Sequence, residues 1–271
     1  MTATKKTGAT SIMVLLVSMA FFASYGQQPK QPDDEMLFVA HRGASYLAPE
    51  NTLASIRLAW ELGADAAECD VMLTSDQQVV LFHDKTTGTL TGEDHVVRET
   101  SWEVLRNLDI RLKESNLRKY EGEGIPLLEE VLQTIPDDRM LVIEIKTGTE
   151  ILPHLQQVLD GYWKSGRISF ICFDFETILE TKRLFPEVPC YFLSTFRSGV
   201  NRHFDEIIQG QLDGVDVRYR AINRKLVRRC RAAGLEVWCW TVNEPEAAGK
   251  MKALGVNAIT TDRPKWLKEQ I

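Results

Sequence analysis

Hydrophobic and polar residues alternate along this chain in blocks that predict strands and helices in turn. Short apolar runs are typical of buried strands, and segments with apolar residues at helical spacing follow most of them. The predicted strands are Leu37–Ala40, Ala66–Leu73, Met140–Ile145, Ile168–Phe173, Cys190–Ser194, Gly214–Val217, Glu236–Val242 and Ala258–Thr261. The predicted helices are Thr52–Leu62, Thr149–Trp163, Glu176–Phe185, Asn223–Ala233, Glu244–Leu254 and Pro264–Gln270, with a weaker one at Phe204–Gln209.

This alternation indicates an α/β fold with a parallel sheet. Eight strand–helix units match a single-domain (β/α)8 TIM barrel. A doubly wound open sheet is the alternative, and it is disfavoured because no GxGxxG sequence follows the first strand. The connection after the second strand, residues 74–139, is unusually long and contains a predicted hairpin at 79–83. Long connections of this kind in barrels are usually functional.

The first 26 residues have the pattern of a secretory signal peptide. Lys5 and Lys6 precede the apolar run Ile12–Ala23, and Ser24-Tyr25-Gly26 offers small residues for cleavage. The run is short for a membrane-spanning helix, so an uncleaved anchor is the less favoured alternative. We therefore expect an exported protein, periplasmic or secreted, without stable membrane insertion after cleavage.

Domain boundaries and net charge follow from this prediction. Residues 27–36 are predicted to be a polar tether, and residues 37–271 the barrel domain. The formal charge of the whole chain is −6, and loss of the leader, which has two lysines and no acids, makes it −8. An acidic chain without a Lys/Arg block is a poor candidate for nucleic-acid binding. The expected partner is a small-molecule substrate, and the oligomeric state stays open.

The five cysteines show no CxxC or zinc-ligand spacing. They are Cys69, Cys172, Cys190, Cys230 and Cys239. Export would permit a disulfide, and the pair to consider is Cys172 and Cys190 on neighbouring predicted strands. Buried free thiols are favoured, because cysteine behaves as a small hydrophobe in protein cores.

Three carboxylates at strand ends predict a metal site. Glu68 and Asp70 are two residues apart on one strand, so both point to the same face. Glu144 ends the next barrel strand, and Lys146 lies on its face. Grouped carboxylates repel each other unless a cation lies between them, and a hard divalent ion, Mg²⁺ or Ca²⁺, suits oxygen ligands. An acidic strand end at the surface and a structural Glu–Lys pair remain the alternatives.

Two histidines are candidates for proton transfer. His41 and His83 lie at strand ends beside the charged residues Arg42 and Asp84, and imidazole titrates near neutrality. Guanidinium groups suit phosphate oxygens. Together with a metal and Lys146, these residues indicate phosphoryl transfer. Glycoside hydrolysis by paired carboxylates is less favoured, because the cations add nothing obvious to the cleavage of a neutral acetal.

The motifs of this chain form a recognisable series from about Phe38 to Pro264. They read HRGASYLAPENT, AECDVMLTSDQQVVLFHD, GIPLLEEVL, LVIEIK, WTVNEPE and TTDRP. The series resembles the glycerophosphodiester phosphodiesterases, in particular exported bacterial ones. The resemblance implies a TIM barrel with one divalent metal at the strand ends. It also implies hydrolysis of glycerophosphodiesters, which are deacylated phospholipids, to glycerol 3-phosphate and an alcohol.

The resemblance also implies roles for individual residues. The implied metal ligands are Glu68, Asp70 and Glu144, and the implied acid–base pair is His41 and His83. The residues expected to contact substrate are Arg42, Lys146, Trp240 and Asn243. Glu50 and Asn51 of the PENT motif are expected to support the site. Trp238 shares a strand face with Trp240 and is explained by core packing.

Two other functions remain as alternatives. One is a phospholipase D-like phosphodiesterase that acts on intact lipids. The other is a non-catalytic barrel that binds phosphate esters, which is disfavoured because the chain has every carboxylate and histidine that the resemblance requires. The head group of the substrate and the choice between Mg²⁺ and Ca²⁺ are not fixed by the sequence.

Overall fold

The computed structural model describes residues 36–110 and 120–271. The predicted signal peptide at 1–26 lies outside the described residues. The same holds for the predicted tether at 27–36, apart from Met36, which is buried in the core. No described helix is long and apolar enough to cross a membrane.

The described chain forms a closed parallel barrel. Its strands are β1 (Leu37–Ala40), β2 (Ala66–Leu73), β3 (Val79–Leu81), β4 (Met140–Ile145), β5 (Arg167–Cys172), β6 (Cys190–Ser194), β7 (Gly214–Arg218), β8 (Glu236–Trp240) and β9 (Ala258–Thr261). The eight parallel strands follow the order β1-β2-β4-β5-β6-β7-β8-β9, and β9 pairs with β1 to close the ring. The short β3 is antiparallel to β2. The predicted TIM barrel is confirmed.

Helices follow the strands around the outside of the barrel. They are α1 (Leu53–Glu61), α2 (Gly88–Thr91), α3 (Trp102–Leu105), α4 (Leu128–Leu132), α5 (Leu152–Tyr162), α6 (Phe175–Leu184), α7 (Arg197–Gln209), α8 (Arg224–Ala232), α9 (Pro245–Leu254) and α10 (Pro264–Glu269). Their apolar faces pack on the outward side chains of the strands and form the main core.

Several element boundaries differ from the sequence prediction by one to three residues, and the start of α7 differs by more. Helix α7 begins at Arg197, earlier than the predicted start at Phe204. Its first half contains Gly199 and Asn201, which are weak helix formers, and burial of Val200 and Phe204 on one face overrides that preference. Strand β8 ends at Trp240 rather than Val242, although the Val242 backbone N–H still donates to the Thr260 carbonyl of β9 at 2.9 Å.

The interior of the barrel is closed at the N-terminal ends of the strands. Tyr191 stacks on Trp238 with ring centroids 4.1 Å apart. The Tyr191 hydroxyl and the Trp238 indole both donate to the Glu236 carboxylate. This confirms core packing for Trp238. With this end filled, open space is left near the C-terminal ends of the strands, where TIM barrels place their active sites.

The long connection after β2 builds a separate small core. Its buried apolar residues are Met72, Val80, Phe82, Val97, Leu105, Leu108, Ile110 and Ile125. The turn from β2 to β3 forms the predicted hairpin, with Val71 opposite Leu81. This segment places His83 two residues after the end of β3, beside the barrel mouth.

All five cysteines are buried and free. Cys172 and Cys190 do lie on neighbouring strands, but the register pairs Cys172 with Phe192 and Cys190 with Phe170. Burial raises the pKa of each of these two thiols to about 12. Both thiols are therefore protonated and unreactive at neutral pH.

Gly43, in the loop after β1, provides a test of the packing around the barrel mouth. A Cβ added there would lie 2.5 Å from the Ser55 carbonyl carbon, and Gly43 has a φ of +76°. We expect Gly43→Ala to lower the free energy of unfolding by about 2–4 kcal/mol, because backbone strain and overpacking add. Urea unfolding measures this change.

The matched control is Gly63→Ala. Gly63 has the same φ of +76° but nothing within 4 Å of an added Cβ. In this variant the free energy of unfolding should fall by only about 1–2 kcal/mol, which is the cost of a left-handed backbone conformation for alanine. Equal losses in the two variants would show that close packing at Gly43 has no energetic importance.

Candidate active site

Most of the predicted site residues line one cavity at the C-terminal ends of the strands. The cavity has a volume of about 130 Å³. Its lining residues are His41, Arg42, Glu68, His83, Glu144, Lys146, Ile171, Phe173, Leu193, Asp216, Trp240, Thr241 and Thr260. Asp70, Glu50, Asn51 and Asn243 do not line it, and each is hydrogen bonded or ion paired to another member of the site.

Three carboxylates meet at one side of the cavity. Glu68, Asp70 and Glu144 each offer an oxygen within 4.8 Å of the others, because Asp70 of β2 is directly opposite Glu144 of β4. Burial raises the pKa of Glu68, and the nearby Asp70 and Glu144 raise it further. Burial and Asp70 likewise raise the pKa of Glu144.

The carboxylate cluster fits a divalent metal ion. The buried Glu68 Oε1 has no hydrogen-bond partner in the described structure. Three carboxylates thus have oxygens within 4.8 Å of one another, and one oxygen lacks a hydrogen bond. This arrangement matches the preference of Mg²⁺ and Ca²⁺ for carboxylate ligands. The geometry therefore supports the predicted ligand set.

Two cations flank the carboxylate cluster. Lys146 Nζ lies 2.7 Å from Glu144 Oε1 and 3.5 Å from Asp70 Oδ1. Arg42 Nη1 lies 2.7 Å from Glu50 Oε1, and its Nε is 3.3 Å from Asp70 Oδ2. Burial opposes the charge on both side chains, but the surrounding carboxylates outweigh it and raise the pKa of Lys146 and of Arg42. Both remain cationic at neutral pH.

The loop after β1 holds Asp70 through an amide. Asn51 Nδ2 donates to Asp70 Oδ2 at 2.8 Å, and the Asp70 backbone N–H donates to Asn51 Oδ1 at 3.0 Å. Arg42 and Asn51 both have positive φ, +52° and +56°, which is costly for residues other than glycine. The next residue, Thr52, caps α1 through a capping box with Ser55. Asn51, which is predicted to support the site, thus makes a bidentate contact to Asp70.

The two histidines have similar carboxylate partners. His41 Nδ1 is 2.7 Å from Asp262 Oδ1, and His83 Nδ1 is 2.7 Å from Asp84 Oδ1. A carboxylate at Nδ1 fixes the tautomer and leaves Nε2 as the nitrogen available for proton transfer. Both histidines line the cavity, so the arrangement suits one acid and one base.

Asp262 is a site residue that sequence reasoning missed. Burial works to raise its pKa, but hydrogen bonds from His41 and Asn243 outweigh this and lower it. Asn243 Oδ1 also accepts from the Asp262 backbone N–H at 2.9 Å. Asn243 is expected beside Trp240 in the pocket. In the structure its side chain contacts Asp262 and does not line the cavity. The available signal was the TTDRP motif at the end of β9, which places an aspartate where His41 could reach it.

Trp240 lies on the wall of the cavity opposite the carboxylate cluster. Its ring meets Phe173 edge-on, with centroids 5.6 Å apart. Its Nε1 is buried and has no hydrogen-bond partner in the described structure. Packing alone would leave that N–H satisfied or exposed, so the position favours contact with a ligand.

Comparisons with known proteins agree with this geometry. The model of the glycerophosphoryl diester phosphodiesterase family matches residues 41–266. The chain is 33% identical over 236 residues to a glycerophosphodiester phosphodiesterase of Caldanaerobacter subterraneus, covering 85% of this chain and 96% of that protein. It is 28% identical over 249 residues to a glycerophosphodiester phosphodiesterase of Bacillus subtilis, covering 85% of each.

A solved structure is similar over the whole barrel. It is an Oleispira antarctica phosphodiesterase in complex with the product sn-glycerol-3-phosphate. The two share a TM-score of 0.80 and 27% identity over 86% of this chain and 96% of that one. The match confirms the family expected from the motifs. The chain belongs to the glycerophosphoryl diester phosphodiesterase family and is an enzyme that hydrolyses glycerophosphodiesters.

Proposed function

We propose that Glu68, Asp70 and Glu144 hold one Mg²⁺ or Ca²⁺ ion, and that the enzyme releases glycerol 3-phosphate and an alcohol. The buried carboxylate cluster beside two cations carries this proposal. A divalent ion bound there would neutralise phosphate charge as a Lewis acid. The product bound to the Oleispira antarctica enzyme is the same compound that the proposal requires.

Arg42 and Lys146 are proposed to bind the phosphate. Both line the cavity, and both already contact Asp70 from opposite sides. Glu50 holds Arg42 Nη1, which orients the guanidinium before substrate arrives. Donors fixed in place lower the barrier because they need not reorganise as negative charge develops.

His41 and His83 are proposed to transfer the protons. One histidine removes a proton from the nucleophile, and the other protonates the oxygen of the leaving alcohol. The nucleophile is either water or the glycerol 2-hydroxyl, and the second route passes through a cyclic phosphate. Phosphorus NMR of a reaction in progress distinguishes the two, because only the second route gives a cyclic ester signal.

A lipid-acting phosphodiesterase is the second candidate function. Large apolar side chains in the loops after three barrel strands are exposed: Leu47 by 46%, Phe173 by 43% and Phe196 by 67%. These loops lie at the mouth of the barrel, so an apolar alcohol arm could rest on them. Turnover of a lysophospholipid in vesicles, compared with soluble glycerophosphocholine, tests this candidate.

The N-terminal sequence supports a separate proposal of export. Cleavage before Gln27 would deliver the barrel to the periplasm or the medium. Fractionation of cells that express the full chain, with mass measurement of the exported form, tests both the location and the cleavage site.

Metal removal provides the first test of the metal site. EDTA should abolish release of glycerol 3-phosphate from glycerophosphocholine, and added Mg²⁺ or Ca²⁺ should restore it. The effective ion should also stabilise the fold by about 2.7 kcal/mol at a hundred times its Kd, because it binds only the folded state. Glu68→Gln should lose most of this stabilisation in calorimetry. Full activity in EDTA would contradict the proposed site.

The pH dependence of stability gives an independent check on the same carboxylates. Without metal, the folded state binds protons at Glu68 more tightly than the unfolded state, because its folded pKa is raised. The cost of ionising it is absent at low pH and grows as pH rises. In EDTA, Glu68→Gln should therefore gain stability over wild type at about pH 8 and much less at about pH 5. An equal difference at both values would show that Glu68 does not titrate in this way.

Replacement of the histidines tests their assignment. His41→Ala and His83→Ala should each lower kcat by about 10²–10⁴, as expected when acid–base catalysis is lost. The variant that lacks the general-acid histidine should recover its kcat on a substrate with a p-nitrophenol leaving group, because that group leaves without protonation. His154→Ala, on α5, is the control and should keep wild-type kcat. Near-normal turnover by either site variant would remove that histidine from the mechanism.

Asp262→Asn tests whether Asp262 positions His41. The amide keeps the shape but permits the wrong tautomer of His41, so kcat should fall by roughly 10²-fold. The limb of the pH–rate profile that reports His41 should shift while KM stays nearly constant. Asp84→Asn is the matched control, and a smaller loss is expected because Asp84 is more exposed than Asp262, 48% against 30%. Unchanged pH profiles in both variants would contradict a positioning role.

A further inference from the structure

Asp216 is a buried carboxyl group that the proposed mechanism does not use. Asp216 lies on β7, is only 1% exposed, and lines the cavity. Its Oδ1 is buried and has no hydrogen-bond partner in the described structure. Unsatisfied buried polar atoms are rare in folded proteins and call for an explanation, often a ligand.

Two other acids of the barrel that are partly removed from solvent have partners. Glu236 accepts hydrogen bonds from Tyr191 and Trp238, and Asp213 accepts from Lys182 and the Cys190 backbone. Those contacts explain their burial by structure alone. Asp216 has no comparable contact at Oδ1, so a purely structural role leaves that atom unexplained.

Asp216 does not belong to the carboxylate cluster. Among the described residues, the group of oxygen atoms close enough to share an ion contains only Glu68, Asp70 and Glu144. In the ring order, β7 is four strands from β2 in either direction, so Asp216 faces Glu68 from across the barrel. The Glu144 carboxylate still adds to the raised pKa of Asp216, after burial itself, which agrees with both groups facing one cavity.

The surroundings of Asp216 suit a small alcohol. Ile171 and Leu193 give the cavity apolar walls, and the unpartnered Nε1 of Trp240 offers a donor on the adjacent strand β8. The volume of about 130 Å³ is below the 300–1,000 Å³ of sites for drug-sized ligands. A short carbon chain with a hydroxyl at its end would satisfy both polar atoms and contact the apolar walls.

We propose that Asp216 binds the terminal hydroxyl of the substrate's glycerol arm, with Trp240 Nε1 as a second donor to the same arm. The inference rests on the proposed function, which places the phosphate beside Arg42, Lys146 and the carboxylate cluster. The 2-hydroxyl is next to the phosphate-bearing carbon, so only the terminal hydroxyl extends across the barrel to β7. A carboxyl group accepts a hydrogen bond from a hydroxyl in either protonation state.

The test compares two substrates that differ only at this hydroxyl. They are glycerophosphocholine and its analogue built on propane-1,2-diol, which keeps the 2-hydroxyl and lacks the terminal one. Wild type should prefer glycerophosphocholine by about 10–100-fold in kcat/KM, since a site that hydrogen bonds a hydroxyl rejects the analogue without it. In Asp216→Leu the preference for glycerophosphocholine should fall to within about threefold. Asp216→Asn should keep part of the preference, because its amide oxygen still accepts a hydrogen bond from the terminal hydroxyl.

Two further readouts separate this role from others. Turnover of 2-hydroxypropyl p-nitrophenyl phosphate, which keeps the 2-hydroxyl and lacks the terminal one, should stay within about threefold of wild type in both variants. The thermal shift produced by the activating metal should also be unchanged, because Asp216 is not a ligand. Glu68→Gln is the contrasting variant, and it should lose activity on all three substrates.

The outcomes are distinct. Equal preference for glycerophosphocholine in wild type and both Asp216 variants would overturn the proposal, and so would an equal loss on all three substrates. Wild type that turns over none of the phosphodiesters with Mg²⁺ or Ca²⁺ would instead overturn the proposed function, and the subsite with it. A collapse of preference confined to the Asp216 variants supports the assignment.

Discussion

The repulsion among Glu68, Asp70 and Glu144 is the interaction on which the rest of the site depends. Three carboxylates share a buried corner of the barrel, and burial together with their mutual proximity raises the pKa of Glu68 and of Glu144. Arg42 and Lys146 offset part of this repulsion. The offset is incomplete, because the pKa of Glu68 stays raised and its Oε1 has no hydrogen-bond partner among the described residues. A bound divalent cation would complete the balance, and the same residues would then serve both metal binding and catalysis.

The barrel geometry brings this cluster together at a cost in backbone conformation. Parallel pairing of β2 with β4 sets Asp70 opposite Glu144. The loop after β1 then bends sharply, with Arg42, Gly43 and Asn51 all at positive φ. This bend lets the Asn51 amide form two hydrogen bonds with Asp70. Strain in the loop is thus coupled to placement of a carboxylate, as is common at active sites.

Much of the fold and the carboxylate cluster could be predicted from sequence, because period-two alternation and strand ends are local properties. Glu68 and Asp70 share a face by spacing alone, and the apolar run before Glu144 identifies its strand. Asp262 could not be found this way, since its contact with His41 joins residues at opposite ends of the chain. Asp216 was missed because a single acid in an apolar strand looks the same whether or not it has a partner. The start of α7 was missed because tertiary burial, not helix propensity, forms its first turns.

The two histidines reach the cavity from structures of different kinds. His41 follows a barrel strand and is anchored to the end of β9 through Asp262, whereas His83 follows the short β3, in a segment with its own apolar core. Insertions or substitutions in that segment can reshape the part of the cavity beside His83 without moving β2 or β4. The carboxylate cluster and the setting of His83 are therefore encoded in separable parts of the chain, so that the second can diverge during evolution while the first is kept.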